Sequence, residues 1–424
     1  MIINKIVGVC LLFLFSSCTK TNTKVHSGRK IQKTQNAKEI AALGDITVRI
    51  DNFSEMYDDT SKPTSSSSAL LKTLREYWNS SGKFPRYSRG LSKMAEKLIG
   101  FRGQPVENAS LSKLAAQYGI TSPWMAQTSI LAKGADNNYF LKRGARILGT
   151  FVEKSEINHF GFALMETGKP HEKLLVLLMQ TRKFTHSPFS RLLQTGEKTE
   201  VSGTVDNDIT GIEIFITMPS GEIVRKKIGL EKRNFRFALD ICRNEKSRGL
   251  YSVEIMGKDS GGPVVLGIFP IICSGKLVAS SIVLKPMQIK SKISEKDFSK
   301  TVFNKINELR KKRNLPKLIW SNDLAKVSKS HSSEMCKKSN IYHVSTITGT
   351  PAGRAKKAGL DPDLIGENVA AGPTIDSVFN GWMRSEGHRL NMIHKKAKYG
   401  AVGSCKSLSD NVLTWYSTFM IGNW

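Results

Sequence analysis

The chain has 424 residues, among them 64 Lys or Arg and 36 Asp or Glu, which gives a formal net charge of +28. Apolar residues make up 40% of the chain and charged residues 24%, and this balance excludes a collagen-like repeat, a disulfide-dense scaffold and wholesale disorder. At roughly 150 residues per domain, the length predicts about three domains. The positive charge favours anionic partners but does not identify the anion.

The first eighteen residues are typical of an export signal. Lys5 precedes an apolar run at residues 6–15, and small residues follow it. At about 1.5 Å per residue this run is too short to span a hydrocarbon layer of about 30 Å, so a secretory signal is favoured over a transmembrane helix. Residues 14–18 resemble a bacterial lipobox, with Phe15 at a place where Leu, Val or Ala is commoner. The resemblance implies that Cys18 is acylated, and a plain signal peptide with an incidental cysteine stays open.

Residues 19–44 are polar and Lys-rich without hydrophobic periodicity, which predicts a flexible linker between the membrane and the folded domains. Nucleic acid is not expected as a partner, because no Arg-rich stripe is interleaved with aromatic residues and aromatic residues are only 8% of the chain. The expected partners are the membrane, reached through the lipid anchor, and an anionic lipid, glycan or host surface. The expected location is the bacterial cell envelope, at the outer membrane, on its periplasmic face or at the cell surface.

Residues 45–192 predict an α+β domain. Apolar residues recur at helical spacing within 70–78 and 91–99, and two apolar strands follow at 158–165 and 173–179. His159 lies in the first of these strands without a partner histidine, and we assign it no chemistry.

Residues 193–285 change to short strands separated by turn residues. The strands are expected at 199–205, 212–218, 235–239, 249–256 and 264–272. Their spacing of about ten residues predicts a small all-β sandwich of the immunoglobulin-like kind. This block contains no cluster of acid, base and nucleophile, so a spacing or binding role is expected.

Residues 296–424 contain several short motifs whose order and spacing are informative. They are Tyr342-His343-Val344, Gly366-Glu367-Asn368, Gly381-Trp382, Gly387-His388-Arg389 and Tyr399 to Gly403. Together they resemble the CAP superfamily, also called SCP-like, in its shorter bacterial form. The resemblance implies an α-β-α sandwich with a cleft in which histidines and acidic residues meet.

Carried over by position, the resemblance implies that His343, Glu367 and His388 line this cleft. The second acidic residue of the longer family members does not carry over, because Ser385 stands at its place. Glu386 is adjacent, but on a helix its side chain is expected to point elsewhere.

Two interpretations of this cluster stay open. The imidazoles of His343 and His388, with or without the Glu367 carboxylate, could bind Zn²⁺ or another divalent metal weakly and activate a water molecule. Alternatively, the same residues form a buried hydrogen-bonded network without catalysis. No Ser or Cys is placed by a motif as a nucleophile, His331 is expected on a helix face, and His394 is expected to face solvent.

The function therefore has two candidates, and the sequence leaves open whether the protein is an enzyme. The preferred one is an exported, lipid-anchored binding protein whose CAP cleft and basic surface take up lipid, glycan or host components. The alternative is a metal-dependent, protease-like hydrolase that uses the His/Glu cleft.

Export also permits disulfides. If Cys10 leaves with the signal and Cys18 is acylated, four cysteines remain, and they fall into one pair for each of the last two domains. The expected bridges are Cys242–Cys273 and Cys336–Cys405.

The order of helices and late strands in residues 45–192 also resembles the end of the CAP fold. This region has neither a Gly-Glu-Asn nor a Gly-His-Arg motif, and residues 142–146 stand at the comparable place. A degenerate CAP domain without a site and an unrelated α+β domain both stay open.

Overall fold

A computed structural model describes most of the chain. The described residues are 4–5, 45–49, 56–57, 65–123, 125–154, 156–274, 281–287, 292–409 and 412–424. The predicted export signal, Cys18 and the predicted linker lie outside these residues, apart from Asn4 and Lys5 of strand β1. In the described segments we find no helix that is long and apolar enough to cross a membrane.

The first domain packs helices against a five-stranded sheet of order β1-β5-β7-β6-β4. Its helices are α1 (Ser65–Glu76), α2 (Arg89–Lys97), α3 (Asn108–Gln117) and α4 (Asn137–Lys154), and its sheet strands are β1 (Asn4–Lys5), β4 (Arg86–Tyr87), β5 (Ala126–Lys133), β6 (His159–Glu166) and β7 (Glu172–Gln180). The Ser88 side chain accepts a hydrogen bond from the Leu91 amide and so caps the start of α2. Residues 174–179 of β7 are buried throughout, as expected of a central strand covered on both faces. The predicted hairpin and helical segments are confirmed.

The second domain consists of two facing sheets. Its strands are β8 (Phe184–His186), β10 (Leu192–Leu193), β11 (Thr199–Val205), β12 (Ile212–Thr217), β13 (Ile223–Ile228), β14 (Asn234–Leu239), β15 (Gly249–Asp259) and β16 (Gly262–Cys273). The sheet orders are β10-β16-β15-β12-β13 and β14-β11-β8. Phe237, Val253 and Phe269 belong to the hydrophobic core between them. The immunoglobulin-like assignment of this sandwich stays a prediction.

The strand pairing of the sandwich does not follow the domain boundaries at 193 and 285 that the sequence predicts. Strand β8 begins at Phe184 and pairs with β11. Strand β17 (Ser281–Leu284) pairs instead with β2 (Ile46–Arg49), and Ile282 and Leu284 are buried in the core of the first domain. The chain that leaves the sandwich after β16 therefore returns to the first domain through β17. On the other side, β3 (Met56–Tyr57) pairs with β9 (Phe189–Ser190) in a further short ladder.

The third domain has helices on both sides of a four-stranded sheet of order β18-β20-β21-β19. Its helices are α5 (Glu295–Lys312), α6 (Asn322–Lys338), α7 (Pro351–Lys357), α8 (Ile375–Arg384) and α9 (Glu386–Met392), and its strands are β18 (Ile319–Trp320), β19 (Leu364–Gly372), β20 (Tyr399–Ser409) and β21 (Val412–Asn423). Phe298 stacks on Trp415 with ring centroids 4.0 Å apart, and Trp382 of α8 packs 5.9 Å from Phe419.

Both expected disulfides are confirmed. Cys242–Cys273 joins the segment between β14 and β15 to the end of β16, with a Cα–Cα distance of 5.3 Å. Cys336–Cys405 ties α6 to β20 across 69 residues of sequence. Each bridge lies within one domain, as predicted.

The first and third domains share one pattern of strand pairing. In each, a short strand runs parallel to the first strand of a hairpin, β4 to β6 and β18 to β20. The second hairpin strand then pairs antiparallel with the strand before the crossover helices, β7 with β5 and β21 with β19. The two sheets therefore have the same core topology.

In both domains a glycine in the first strand of the hairpin lets a helix approach the sheet closely. Gly161 of β6 lies against the backbone of Leu91 and Ser92 in α2, and Gly403 of β20 lies against the backbone of Ser328 and Lys329 in α6. A Cβ atom at either glycine would overlap the helix backbone. Helix and sheet can pack this closely only when no side chain intervenes.

We expect Gly161→Ala and Gly403→Ala each to lower the free energy of unfolding by about 2–3 kcal/mol, because the new methyl group pushes the helix away from the sheet. Gly211→Ala is the control, since a Cβ atom there meets no neighbour within 4 Å, and its effect should stay within about 0.5 kcal/mol. Urea denaturation followed by tryptophan fluorescence measures all three. Equal losses at Gly211 and Gly403 would contradict the packing argument.

Candidate functional site

The three residues implied by the family resemblance converge in the third domain. His343 follows α6, Glu367 lies in β19, and His388 lies in α9. His343 Nδ1 is 2.9 Å from Glu367 Oε1, and the ring centroids of His343 and His388 are 6.4 Å apart. Residues that are distant in sequence thus form one cluster.

Arg354 of α7 completes this cluster and was not predicted from the sequence. Its guanidinium donates to Glu367 Oε2 at 2.5 Å and to the carbonyls of His343 and Gly349. Both side chains of the ion pair are almost fully buried, with exposures of 4% and 1%. Nothing in the sequence distinguishes Arg354 from the many other basic residues, so only the fold could reveal it.

The electrostatics of the cluster follow from burial and from these contacts. Burial alone raises the pKa of Glu367, but the hydrogen bond from His343 and the charge of Arg354 bring that pKa below its ordinary value. Burial, reinforced by His343, lowers the pKa of His388 to about 3. Glu367 is therefore ionised and His388 neutral at physiological pH.

Two asparagines hold the helix of His388 against the strand of Glu367. Asn368 Nδ2 donates to the His388 carbonyl at 2.9 Å, and Asn391 Nδ2 donates to Asn368 Oδ1 at 2.8 Å. Asn391 also donates to the Glu367 carbonyl. The polar residues that follow Glu367 and His388 in their motifs thus position the cluster.

The other histidines of interest lie outside the cluster. His331 is fully buried on α6, and its Nε2 is 2.7 Å from the carbonyl of Tyr342. His394 is half-buried after α9, although the sequence suggested a solvent-facing position. His159 Nδ1 is 2.8 Å from Asn158 Oδ1 in the first domain.

Ser385, which stands where longer family members have a second acidic residue, lies next to the sandwich domain. Ser385 is buried at the start of α9, and the following amide, of Glu386, donates to Glu254 Oε2 of β15. The Glu386 carboxylate accepts from the Thr217 hydroxyl and pairs with Arg389. Burial raises the pKa of Glu254 to about 7. A carboxyl group from the second domain therefore lies next to Ser385.

The turn between β15 and β16 contacts the cluster through hydrogen bonds at His343. The carbonyl of Gly261 accepts hydrogen bonds from the amides of His343 at 2.9 Å and Val344 at 3.0 Å. Asp259 Oδ1 accepts from the Gly261 amide, and Asp259 Oδ2 lies 3.5 Å from the ammonium of Lys183. Gly262 has φ +112° and approaches His343 so closely that a Cβ atom there would be 3.2 Å from His343 Cβ. The sandwich thus covers part of the cleft.

A cavity of about 430 Å³ remains between the cleft and this cover. Its wall contains all three predicted cleft residues together with Trp382 and Ser385. The sandwich contributes Met256, Pro263, Val264, Val265 and Ile268, and the third domain contributes the apolar residues Ile341, Val344, Pro351, Ile365 and Val369. Within the described part of the chain, His388 Nδ1 and Trp382 Nε1 are buried without a hydrogen-bond partner. The cavity wall is therefore largely apolar, with polar side chains from both domains among its lining.

The cluster does not fit a divalent metal in this arrangement. Across the described residues, no three His, Cys, Asp or Glu side chains are grouped so that they could hold an ion. Both oxygens of Glu367 are already engaged, one by His343 and the other by Arg354. The zinc hypothesis for His343, His388 and Glu367 stays a prediction, which calorimetric titration with Zn²⁺ would check.

Comparison with known families agrees with this geometry. The model of the cysteine-rich secretory protein family, CAP, matches residues 303–420. The chain therefore carries a CAP domain at its C-terminal end.

Curated relatives match about a quarter of the chain. The chain is 32% identical to the uncharacterised protein YkwD of Bacillus subtilis over 111 residues, which are 26% of this chain and 43% of YkwD. It is 34% identical over 104 residues to an uncharacterised protein of Borreliella burgdorferi, covering 24% of this chain and 66% of that protein. The match to the membrane protein YlbC of Bacillus subtilis, at 32% identity, spans 24% of this chain and 30% of YlbC. The chain thus spans less than half the length of YkwD and of YlbC.

Two solved structures are similar to parts of the chain. An outer surface protein of Borrelia burgdorferi is 26% identical, with a TM-score of 0.28 over 31% of this chain and 96% of that chain. An extracellular SCP-domain protein of Bacillus anthracis is 17% identical, with a TM-score of 0.26 over 57% of this chain and 86% of that chain.

The depressed pKa of His388 predicts that acid destabilises the fold. The folded state keeps His388 neutral down to about pH 3, whereas the unfolded state protonates it near pH 6.5. Below pH 6.5 the unfolded state binds more protons, so stability is full above this pH and falls as the pH drops. Between pH 6.5 and 5, His388→Gln should reduce the decrease in the free energy of unfolding by about 2 kcal/mol.

Urea denaturation at several pH values measures how the free energy of unfolding changes with pH. His171→Asn is the control, because His171 is exposed and its backbone has φ +57°, which asparagine tolerates. An unchanged slope in His388→Gln would show that His388 does not carry the effect.

Proposed function

We propose that the protein is an exported binding protein of the bacterial cell envelope that holds an apolar ligand in its CAP cleft. The observation that carries this proposal is the cavity of about 430 Å³ between the cleft and the sandwich. Its volume and its largely apolar wall are typical of small-molecule sites. A lipid acyl chain suits this wall better than a glycan, because a glycan needs many more hydrogen-bond donors and acceptors.

The polar atoms of the wall set the orientation of such a ligand. The buried side chains of His388 and Trp382 offer one ring nitrogen and one indole N–H, and Ser385 adds a hydroxyl to the same wall. A ligand with a hydroxyl or carbonyl head could satisfy the first two, and this would relieve the cost of burying unpaired polar groups. Glu367 is held by Arg354 and His343, so it shapes the wall and does not act on the ligand.

Export and anchoring are supported by the sequence of residues 1–18. The positive residue, the short apolar run and Cys18 are those of a lipoprotein signal. The relative YlbC is described as a membrane protein. Cleavage before Cys18 would remove the two-residue edge strand β1 from the first domain. Acylation of Cys18 would hold the folded domains at the membrane through residues 19–44.

The first domain is proposed to be a degenerate CAP domain without a site. Its strand pairing matches that of the third domain, and in both a glycine of the first hairpin strand lies against a helix. Counting from the short parallel strands across the hairpins, Gln127 stands where Glu367 stands in the third domain. A glutamine there supplies no charge for a partner arginine or histidine.

We expect Gly381→Leu to block ligand uptake without loss of stability. Gly381 lies on α8 in the cavity wall, and a Cβ atom there meets no neighbour within 4 Å. Leucine fills this space and favours the helix by up to about 1 kcal/mol. A fluorescent fatty-acid analogue should bind the wild type and bind Gly381→Leu at least tenfold more weakly.

The matched control for this experiment is Gly211→Leu, which lies in a sandwich loop, has equally open space and does not line the cavity. It should bind the probe as the wild type does. Equal binding by Gly381→Leu, or none by the wild type, would reject the cavity as a fatty-acid site.

Anchoring has its own test. Cys18→Ser should release the protein from membranes, because the acyl chains contribute about 0.8 kcal/mol per buried CH₂ group. Fractionation of cells and labelling with a fatty-acid precursor measure the effect. Equal membrane partitioning of both forms, with no label in the wild type, would exclude acylation.

A further inference from the structure

Two segments of the CAP domain meet to form a strongly basic surface. The end of α5 and the segment after α9 are joined by Arg310, which is fully buried and donates to the carbonyls of Met392, His394 and Ala397. The amide of Ile319 adds a hydrogen bond to the Lys398 carbonyl. This framework brings together seven exposed cations, Lys311, Lys312, Arg313, Lys317, Lys395, Lys396 and Lys398.

The charge of these seven residues is not neutralised locally. Residues 309–320 and 390–400 contain no Asp or Glu. Among the described residues, none of the seven forms an ion pair, whereas Lys305 and Lys329 of the same domain pair with Asp376 at 3.0 Å and Glu295 at 2.6 Å. Two acidic residues border the patch: Glu308, one helical turn before Lys311 and Lys312, and Asp363, whose amide donates to the Asn423 carbonyl.

Exposed apolar side chains lie directly beside the cations. Trp424 is 41% exposed and stacks on Tyr399 with ring centroids 4.5 Å apart. Ile319 is 52% exposed and pairs with Tyr399 in the sheet. The Lys398 ammonium lies 5.3 Å from the Tyr399 ring. Trp, Tyr and Lys side by side on one surface are the composition that proteins present to a membrane–water interface.

We propose that this basic–aromatic patch docks on a bilayer surface rich in anionic lipid. The cations face the phosphate headgroups, and Trp424 and Ile319 enter the layer beneath them. A soluble polyanion such as a sulfated glycan would use the cations but gain nothing from Trp424 and Ile319, so the observations favour the bilayer. The patch is separate from the cavity of the cleft, and the proposal does not depend on the ligand there.

The test measures binding to vesicles of phosphatidylcholine with about 30% phosphatidylglycerol, using the full chain with Cys18→Ser so that acylation does not contribute. The triple variant Lys312→Gln, Lys396→Gln, Lys398→Gln should bind about a hundredfold more weakly at low salt. The control variant Lys198→Gln, Lys226→Gln, Lys227→Gln removes the same charge from exposed positions of the sandwich and should bind as the parent does. A similar loss in both variants would overturn the patch in favour of diffuse attraction.

A second arm separates a bilayer from a polyanion. Ile319→Ser combined with Trp424→Ala should weaken vesicle binding about tenfold while binding to heparin stays unchanged, because only the bilayer receives apolar side chains. Unchanged vesicle binding in this variant, with loss of heparin binding in the patch triple variant, would overturn the bilayer and identify a polyanion site. Circular dichroism confirms that each variant is folded.

Discussion

The arrangement of the CAP cleft depends on the burial of one carboxylate. Glu367 lies almost without solvent contact in β19, and an isolated charge in such a place would be strongly unfavourable. Arg354 and His343 bind one oxygen each, so the charge is paired and both acceptors are satisfied. Because Arg354 also holds the carbonyls of His343 and Gly349, the same ion pair orders the loop between α6 and α7.

The ordered loop in turn gives the second domain a surface to dock on. The amides of His343 and Val344 donate to the Gly261 carbonyl, while Arg354 holds the carbonyl of His343. Within the second domain, Asp259 holds the β15–β16 turn by accepting from the Gly261 amide, and Asp259 itself pairs with Lys183. Its apolar neighbours Val264 and Val265 then close the cleft into a cavity. Enclosure thus results from the contact between two domains, and neither domain supplies it alone.

The sequence predicted those parts of this arrangement that leave a local pattern. Periodicity identified the helices around Leu71 and Leu91 and the β6–β7 hairpin, and motif order identified His343, Glu367 and His388. Contacts between distant segments leave no such pattern. Arg354 is one basic residue among 64, and the role of Gly261 arises only from docking. Strand β8, which pairs with β11 ahead of the predicted boundary at 193, is three residues long, too short for alternation to be detected.

Comparison of the first and third domains shows which residues the shared fold requires and which residues belong only to the cleft. Both domains keep a glycine where the helix crosses the hairpin, since any side chain there would prevent packing. They differ at the position of Glu367, where strand pairing places Gln127 in the first domain. The uncharged glutamine needs no arginine, and therefore no ordered loop on which the sandwich could rest. In the third domain the buried Glu367–Arg354 pair orders the loop whose amides meet the Gly261 turn, and the second domain covers the cleft at this contact.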